Sequence, residues 1–236
     1  MSEEIRERWK LEDKVFDRRS LIALSKVLSK GIIKTIDFPI SRGKEAHVYR
    51  GTTAENTFVA IKIYKIETTS FLRRMEYIEG DPRFHLNRRT LSEVVYTFTK
   101  KEYKNLSIAD NAKIPAPKPL FSIKNILIMS FLGQDGNPYM PLYKNSKILE
   151  VEHFEQIVDS LTKLYANGLV HGDLSEYNIL LGDKPYIIDF AQGVILKHPK
   201  AEEFLKRDII NLLSFFKKYI KLDYTSDEVL KRIHNK

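Results

Sequence analysis

The 236-residue chain contains no cysteine, which removes disulfides, thiolate metal sites and cysteine nucleophiles at the outset. No disulfide partner is expected. No apolar run has the length needed to cross a bilayer, so no membrane partner is expected either. The opening stretch MSEEIRERWK does not read as a signal peptide, and the cytoplasm is the expected location. Internal repeats, heptad arrays and low-complexity tracts are also missing. What is present is an ordinary globular composition, 43% hydrophobic and 30% charged. That is enough material for one large domain or two packed lobes. The net charge of +8 suggests an anionic partner. The basic excesses in 1–34 and 196–221 are too diffuse to single out nucleic acid.

Hydrophobic spacing divides the chain. Leu21, Leu24 and Leu28 recur at helical intervals in 17–30, with Gly31 as a stop. Strand-like runs follow at 35–40, 45–51 and 57–65, the last two joined by the hairpin stretch GTTAEN. A polar, Arg-rich segment (67–90) precedes a helix from about Leu91 to Ile108. The proline-rich IPAPKP (114–119) serves as a connector, and FSIK and NILIMSFL read as two further strands. The turn-rich GQDGNP (133–138) reads as a hinge or linker. Beyond it, Val151, Phe154, Ile157, Val158, Leu161, Leu164 and Tyr165 share a helical face closed by Gly168. The short strands NILLG and YIIDF flank a turn at Asp183, and helices over roughly 201–220 and 226–234 complete the chain. The expected fold class is α+β. It has a helical extension (1–34), a β-rich lobe with one main helix (35–132), the linker, and a mainly helical lobe (139–236).

The chemistry concentrates in HGDLSEYN (171–178) and YIIDFAQG (186–193). Asp173 and Asn178 stand five residues apart on one loop, and Asp189 ends the returning strand. Phosphoryl transfer uses such a set: a carboxylate to orient or deprotonate the nucleophile, and an amide with a carboxylate to hold Mg²⁺ on phosphates. Taken singly, Asp173 and Asp183 could serve as turn residues and Asp189 as a strand cap; the whole pattern favours the site.

Lys62 sits in the apolar strand FVAIKIYK, where it either faces solvent or reaches an anion. In the helix 91–108, Leu91, Val95, Phe98, Leu106 and Ala109 form a stripe with Glu102 in its middle. A glutamate there needs a cation, and Lys62 is the expected partner; the alternative is a rotated helix that exposes Glu102. In ISRGKEAHVY (40–49) the single glycine signals a turn, whose backbone N–H groups, with Ser41 and Lys44 beside them, could cradle phosphates. Asp208 either accepts hydrogen bonds from catalytic-loop N–H groups or is a solvated helix residue. His171, Trp9 and the helix over 17–30 read as structural.

Together, HGDLSEYNIL, YIIDFAQGV, SRGKEAHVYR and AIKIYK resemble the RIO family of atypical serine/threonine protein kinases, type-one branch, from about Ile40 to Phe216. The N-terminus is too short for the winged-helix domain of the other branch. The resemblance implies a trimmed two-lobed kinase fold using ATP and Mg²⁺, with Mn²⁺ as a substitute. It implies Asp173 as the catalytic acceptor, Lys62 as the phosphate-binding lysine with Glu102 as its helix partner, and Asn178 and Asp189 as metal ligands. The implied nucleotide contacts are Ser41, Gly43, Lys44, Glu45, Val48, Ala60, Lys62, Met129, Ser130, Leu132 and Ile188, with Met129 to Leu132 as the adenine hinge. GDPRFHLNRR corresponds to the family's flexible loop, and Asp189 to a residue that can become a phospho-aspartate in an ATPase-like cycle. The implied partner is a small ribosomal subunit precursor, a ribonucleoprotein, in late maturation.

Ordinary protein kinases differ: Gly172 stands for the arginine of HRD, Ala191 for the glycine of DFG, and no APE motif follows. The usual peptide-docking segment is therefore expected to be missing. Two other readings remain open: a small-molecule kinase of the aminoglycoside or choline type, and a non-catalytic, nucleotide-gated ribosome assembly factor.

Overall fold

The computed structural model describes residues 17–67, 69–86 and 90–235. Trp9 and residues 1–16 of the expected N-terminal extension lie outside them. In chain order the chain forms α1 (Arg18–Ser29), β1 (Thr35–Arg42), β2 (Ala46–Thr52), β3 (Phe58–Tyr64), a short α2 (Glu76–Glu79) and α3 (Leu91–Asn111). Strands β4 (Pro119–Ile123), β5 (Ile126–Ser130), β6 (Gly133–Gln134), β7 (Asn137–Pro138) and β8 (Met140–Pro141) lead to α4 (Val151–Ala166). The remainder is β9 (Leu169–Val170), β10 (Ile179–Leu181), β11 (Pro185–Ile187), β12 (Val194–Ile195), α5 (Ala201–Phe216) and α6 (Ser226–His234). This is the expected α+β class.

These elements group into two compact units. One contains the described residues up to Arg73 and of Leu86–Thr99, with Leu120–Phe131; the other contains Arg74–His85, Lys100–Pro119 and the chain from Leu132 onward. This corrects the simple division at the linker. Arg74–His85 and Lys100–Pro119 leave the expected first lobe because their packing partners are in the second unit. Within the stretch 133–138, expected as the linker, β6 and β7 pair as a hairpin, and Asp135 (φ 52°) and Gly136 (φ 77°) supply its tight turn. Two successive positive φ values match the twist of a two-residue hairpin loop, and an Asp-Gly pair tolerates them.

In the first unit, Asp17 caps α1 by accepting from the Arg19 and Ser20 amides at 2.8 and 3.1 Å. The sheet order is β1-β2-β3-β5-β4. Period-two alternation then sorts β3 into two faces. Val59, Ile61 and Ile63 share a face with Tyr49, Ile126 and Ile128, and bury against Ala23, Leu24 and Val27 of α1. Each such buried aliphatic side chain contributes about 1.5–3 kcal/mol. The opposite face carries Ala60 and Lys62, with Val48 across from Lys62 and Met129 across from Ala60. One alternation thus separates the core from the candidate ligand-binding side chains.

Asn125, fully buried at the β4–β5 turn, ties sheet to helix: its Nδ2 donates to Ser20 Oγ and to the Tyr64 carbonyl, each at 2.7 Å. In the second unit, β8, β10 and β11 form a small sheet, β9 pairs with β12, and α4 and α5 pack through Phe154 and Phe216, with Tyr224, just before α6, stacked on Phe154. Arg232 of α6 holds Glu155 and Asp159 of α4.

Asn125→Ala leaves the Tyr64 carbonyl and the Ser20 hydroxyl without this donor. We expect it to lower the unfolding free energy by about 1–3 kcal/mol, read as a shifted urea midpoint at unchanged slope.

Candidate active site

The loop 171–178 is held from below. Asp208 of α5, fully buried, accepts the Gly172 amide at 2.7 Å with one carboxylate oxygen and the Leu174 amide at 2.8 Å with the other. Burial pushes its carboxyl up, to about 7, against these two donors and Arg207. Of the two readings of Asp208, the structure selects the hydrogen-bonded one. His171 is likewise buried; its Nδ1 accepts the Asp173 amide at 3.3 Å, which leaves Nε2 to donate to the Ile188 carbonyl at 3.0 Å. This histidine braces the loop, as its sequence context suggests. Gly172 takes φ +76°, and a Cβ there would meet the Gln192 carbonyl oxygen at 3.1 Å. A left-handed, crowded position explains why glycine stands where other kinases carry arginine. A guanidinium does reach Gly172, but from α5: Arg207 donates to its carbonyl at 2.5 Å and to Tyr77 Oη at 2.8 Å.

Three of the expected site residues converge here. Asn178 Nδ2 donates to the Asp173 carbonyl at 2.8 Å, and the Ile188 amide donates to the Asn178 carbonyl at 2.9 Å. Asp189 follows β11 in the left-handed region (φ 63°, ψ 67°), a conformation that costs on the order of 1–3 kcal/mol and must be enforced by its surroundings. The turn after it returns to the loop: Gln192 Nε2 donates to Asp173 Oδ2 at 2.6 Å. The half-buried carboxylates of Asp173 and Asp189 and the amide of Asn178 are thus parts of one braced arrangement.

Beneath the turn lies a buried polar cluster that the sequence did not disclose. Asn105 of α3 donates from Nδ2 to the Phe190 and Gly193 carbonyls, both at 2.8 Å. Lys101, one turn earlier and fully buried, also donates to the Gly193 carbonyl and lies 4.0 Å from Asp81. Arg83 grips Asp81 through two guanidinium nitrogens, at 2.9 and 2.7 Å, and reaches Asn105 Oδ1 at 2.9 Å. Burial raises the Asp81 carboxyl, but the Arg83 hydrogen bonds and the charges of Arg83 and Lys101 outweigh it and hold it below the usual range. Burial lowers Lys101 to about 7, opposed by Asp81 and reinforced by Arg83. Asp81 and Arg83 belong to GDPRFHLNRR, expected as the flexible loop. Its described part, Gly80–Leu86, is instead anchored by buried Asp81. The one legible signal was helical: Asn105 falls on the same stripe as Phe98, Glu102 and Ala109.

The remaining expected residues occupy the following places. Ser41, Gly43 and Lys44 are exposed at the β1–β2 turn, closed by the Gly43 amide on the Ala46 carbonyl at 2.9 Å; Glu45 and Val48 are half-buried. Ala60, Lys62 and Met129 are buried on one sheet face, with Lys62 Nζ 4.9 Å above the Tyr64 ring, and Ser130 ends β5. Leu132 and Ile188, half-buried, belong to the second unit. Glu102 is 1% exposed, so α3 turns this glutamate inward and not toward solvent.

The donor set suits a hard divalent cation. Asn178 spends its amide nitrogen on Asp173, and no described residue donates to its Oδ1. One amide oxygen and the Asp189 carboxylate match a Mg²⁺ that takes most of its other ligands from water and phosphate. Among the described residues no group of three or more His, Cys, Asp or Glu is arranged to hold a metal alone. No described helix is long and apolar enough to cross a membrane.

The family model described as RIO domain matches residues 47–229. The RIO-type serine/threonine-protein kinase Rio1 of Thermoplasma acidophilum is 44% identical over 174 residues, 73% of this chain and 91% of that one. Rio1 of Methanocaldococcus jannaschii is 40% identical, over 89% of this chain and 72% of that one. Human serine/threonine-protein kinase RIO1 is 39% identical over 88% of this chain, which spans 38% of it. Among solved structures, the Rio2 kinase–ADP/Mg²⁺–phosphoaspartate complex from Chaetomium thermophilum superimposes with a TM-score of 0.64 at 20% identity. That match covers 89% of this chain and 64% of the Rio2 chain, and shows the shared fold.

Because Lys101 binds its proton more weakly folded than unfolded, the unfolded chain holds the extra proton between about pH 7 and 10.5. Stability from this group therefore rises with pH across that window. We expect urea unfolding of the wild type, compared with Lys101→Met, to shift in the wild type's favour from pH 7 to 10. Below pH 7 the difference should be flat.

Proposed function

We propose a mechanism for this chain, which belongs to the RIO family of atypical serine/threonine-protein kinases and is an enzyme of that class. It transfers the terminal phosphoryl group of ATP to a serine or threonine hydroxyl, its own included, or to water. The observation that carries this reading is the convergence of Asp173, Asn178 and the Asp189 turn through the Asn178–Asp173 and Gln192–Asp173 hydrogen bonds.

Asp173 orients the attacking hydroxyl and accepts its proton; Gln192, bonded to Oδ2, fixes the carboxylate so that Oδ1 meets the nucleophile. Asp208 and His171 keep the loop from giving way as charge moves. Asn178 Oδ1 and Asp189 hold the metal. When bound, Mg²⁺, or Mn²⁺ in its place, neutralises and orients the phosphate oxygens. Lys62, with Glu102, holds phosphate oxygens. The β1–β2 turn at Ser41, Gly43, Lys44 and Glu45 covers the phosphates, while Val48, Ala60, Ile188 and the backbone of Met129, Ser130 and Leu132 take the adenine. The Rio2 complex named with ADP, Mg²⁺ and phosphoaspartate supports this choice of nucleotide and metal. It also supports Asp189 as a transient phosphoryl acceptor in an ATPase cycle. We place the reaction in the cytoplasm, on a small ribosomal subunit precursor, a partner compatible with the net charge of +8.

The test is turnover of γ-labelled ATP with Mg²⁺, with and without purified small-subunit precursor. Asp173→Asn and Asp189→Asn should each lose 10²-fold or more, on the order expected for removing a positioned base or metal ligand. Equal slow turnover by all three proteins, with ATP still bound, would sink the catalytic assignment in favour of a nucleotide-gated binding protein.

A further inference from the structure

We propose that Lys101 and Asn105, held in place by Asp81 and Arg83, are positioning residues. By fixing the Phe190 and Gly193 carbonyls they set the turn that presents Asp189 and Gln192. The inference deepens the phosphotransferase reading and rests on it.

The turn has two outputs. At its start, Asp189 stands at φ 63°, a backbone state that a non-glycine residue leaves unless held. Three residues on, Gln192 meets Asp173 at 2.6 Å. Between and after these, two carbonyls of the turn end on the cluster: Phe190 on Asn105, Gly193 on Asn105 and Lys101. Gly193 itself must be glycine, since a Cβ would come within 2.9 Å of Asn105 Nδ2 and 3.2 Å of the Val170 carbonyl oxygen. The clamp and the turn are therefore fitted to each other at the backbone.

The chemistry of the clamp also argues for positioning over bulk stability. Lys101 and Asn105 are 0% exposed and Asp81 is 1% exposed. Apolar residues of similar volume serve stability as well as or better than a buried ionic group. What apolar residues lack is direction: only N–H donors can pin two particular carbonyls. Both ends of the Asn105 amide are engaged, its Oδ1 by Arg83 and its Nδ2 by the two carbonyls. Arg83 and Asp81 stand to Asn105 and Lys101 as the residues behind a metal ligand stand to the ligand. Loss of such support commonly reduces metal affinity or activity 10–100-fold.

The experiment compares wild type, Lys101→Met, Gln192→Leu, the double variant and Asp189→Asn in the full chain. It measures kcat and KM for ATP turnover, and Mn²⁺ affinity by electron paramagnetic resonance in the presence of a non-hydrolysable ATP analogue. Lys101→Met should lower kcat about 10-fold or more and weaken Mn²⁺ about 10-fold, with KM for ATP changed much less. Added to Gln192→Leu, it should cost less than the product of the two single effects on kcat, because both act through one turn. A lysine that only stabilises the fold would move the urea midpoint and leave kcat and Mn²⁺ affinity at wild-type values, and that result overturns the proposal. If Lys101→Met does not fold, Arg83→Met takes its place, because its side chain is 19% exposed, and the same losses are expected. Asp189→Asn separates the two failures. If it retains wild-type turnover, the phosphotransferase reading is wrong; if it loses turnover while Lys101→Met and Arg83→Met do not, only the positioning role is.

Discussion

Two backbone N–H groups, those of Gly172 and Leu174, end on the two oxygens of one buried carboxylate, Asp208, and the candidate site depends on that arrangement. The loop between β9 and β10 has no ladder of its own, so its amides must be paired by something else or carry a desolvation cost of about 1–3 kcal/mol each. A helix in the unit's core supplies the partner. Because α5 is fixed by Phe204, Ile209, Leu212 and Phe216, the loop inherits the rigidity of the core, and the short reach from Gly172 to Leu174 leaves Asp173 little freedom between them. Asp173 is thus placed by a second aspartate, Asp208, that holds the amides on either side of it.

The Asp189 side of the site is built on the same principle with the donor and acceptor reversed. Here the loop offers carbonyls and the core offers N–H donors, from Asn105 and Lys101. Both partners come from the segment after α2: Asp81 offsets the buried ammonium, and Arg83 occupies the free end of Asn105. The short helix α2 that leads into that segment is itself tied to α5 and the residues before it: Tyr77 stacks on Phe204 at 4.8 Å and accepts from Arg207, while Glu76 meets Lys200 at 2.7 Å and its carbonyl meets His198 at 2.9 Å. Gly80 lets the chain pass within contact of the His198 ring, where any Cβ would collide at 2.2 Å. A stretch rich in arginine and charge, which in isolation has every mark of a solvated loop, becomes structure because its charges find buried partners.

What could be read in the sequence follows from how local the cause is. The sheet strands, α1, α3 and α4 declared themselves because period-two and period-3.6 patterns are properties of neighbouring residues. The grouping of Asp173, Asn178 and Asp189 was legible because one loop and one hairpin carry all three. The inward turn of Glu102 was legible as a break in an apolar stripe. The clamp was not, since its contacts join Lys101 to Gly193 and Asn105 to Phe190, 92 and 85 residues apart, and no spacing rule links them. The hairpin at 133–138 is a different case. Its Asp-Gly pair is a recognised hairpin signal, but the composition of GQDGNP outweighed it and suggested a linker.

Buried polar residues have a cost, and their distribution indicates where the fold accepts it. In the first unit Asn125 ties α1 to the sheet, and Lys62 is buried on β3 with its Nζ over the Tyr64 ring. In the second unit Asp81, Lys101, Asn105, His171, Gln192 and Asp208 are all buried, and each is bonded to the loop 171–178, to the turn 188–193, or to a residue that is. Stability alone does not call for that concentration, because apolar side chains would fill the same volume without desolvating charge. Directional bonds are needed where backbone must be held in one conformation against its preference, as at Asp189. The polar core of the second unit is therefore best understood as the support of the loop 171–178 and the turn 188–193, and the α5 and α3 helices as the elements against which they are braced.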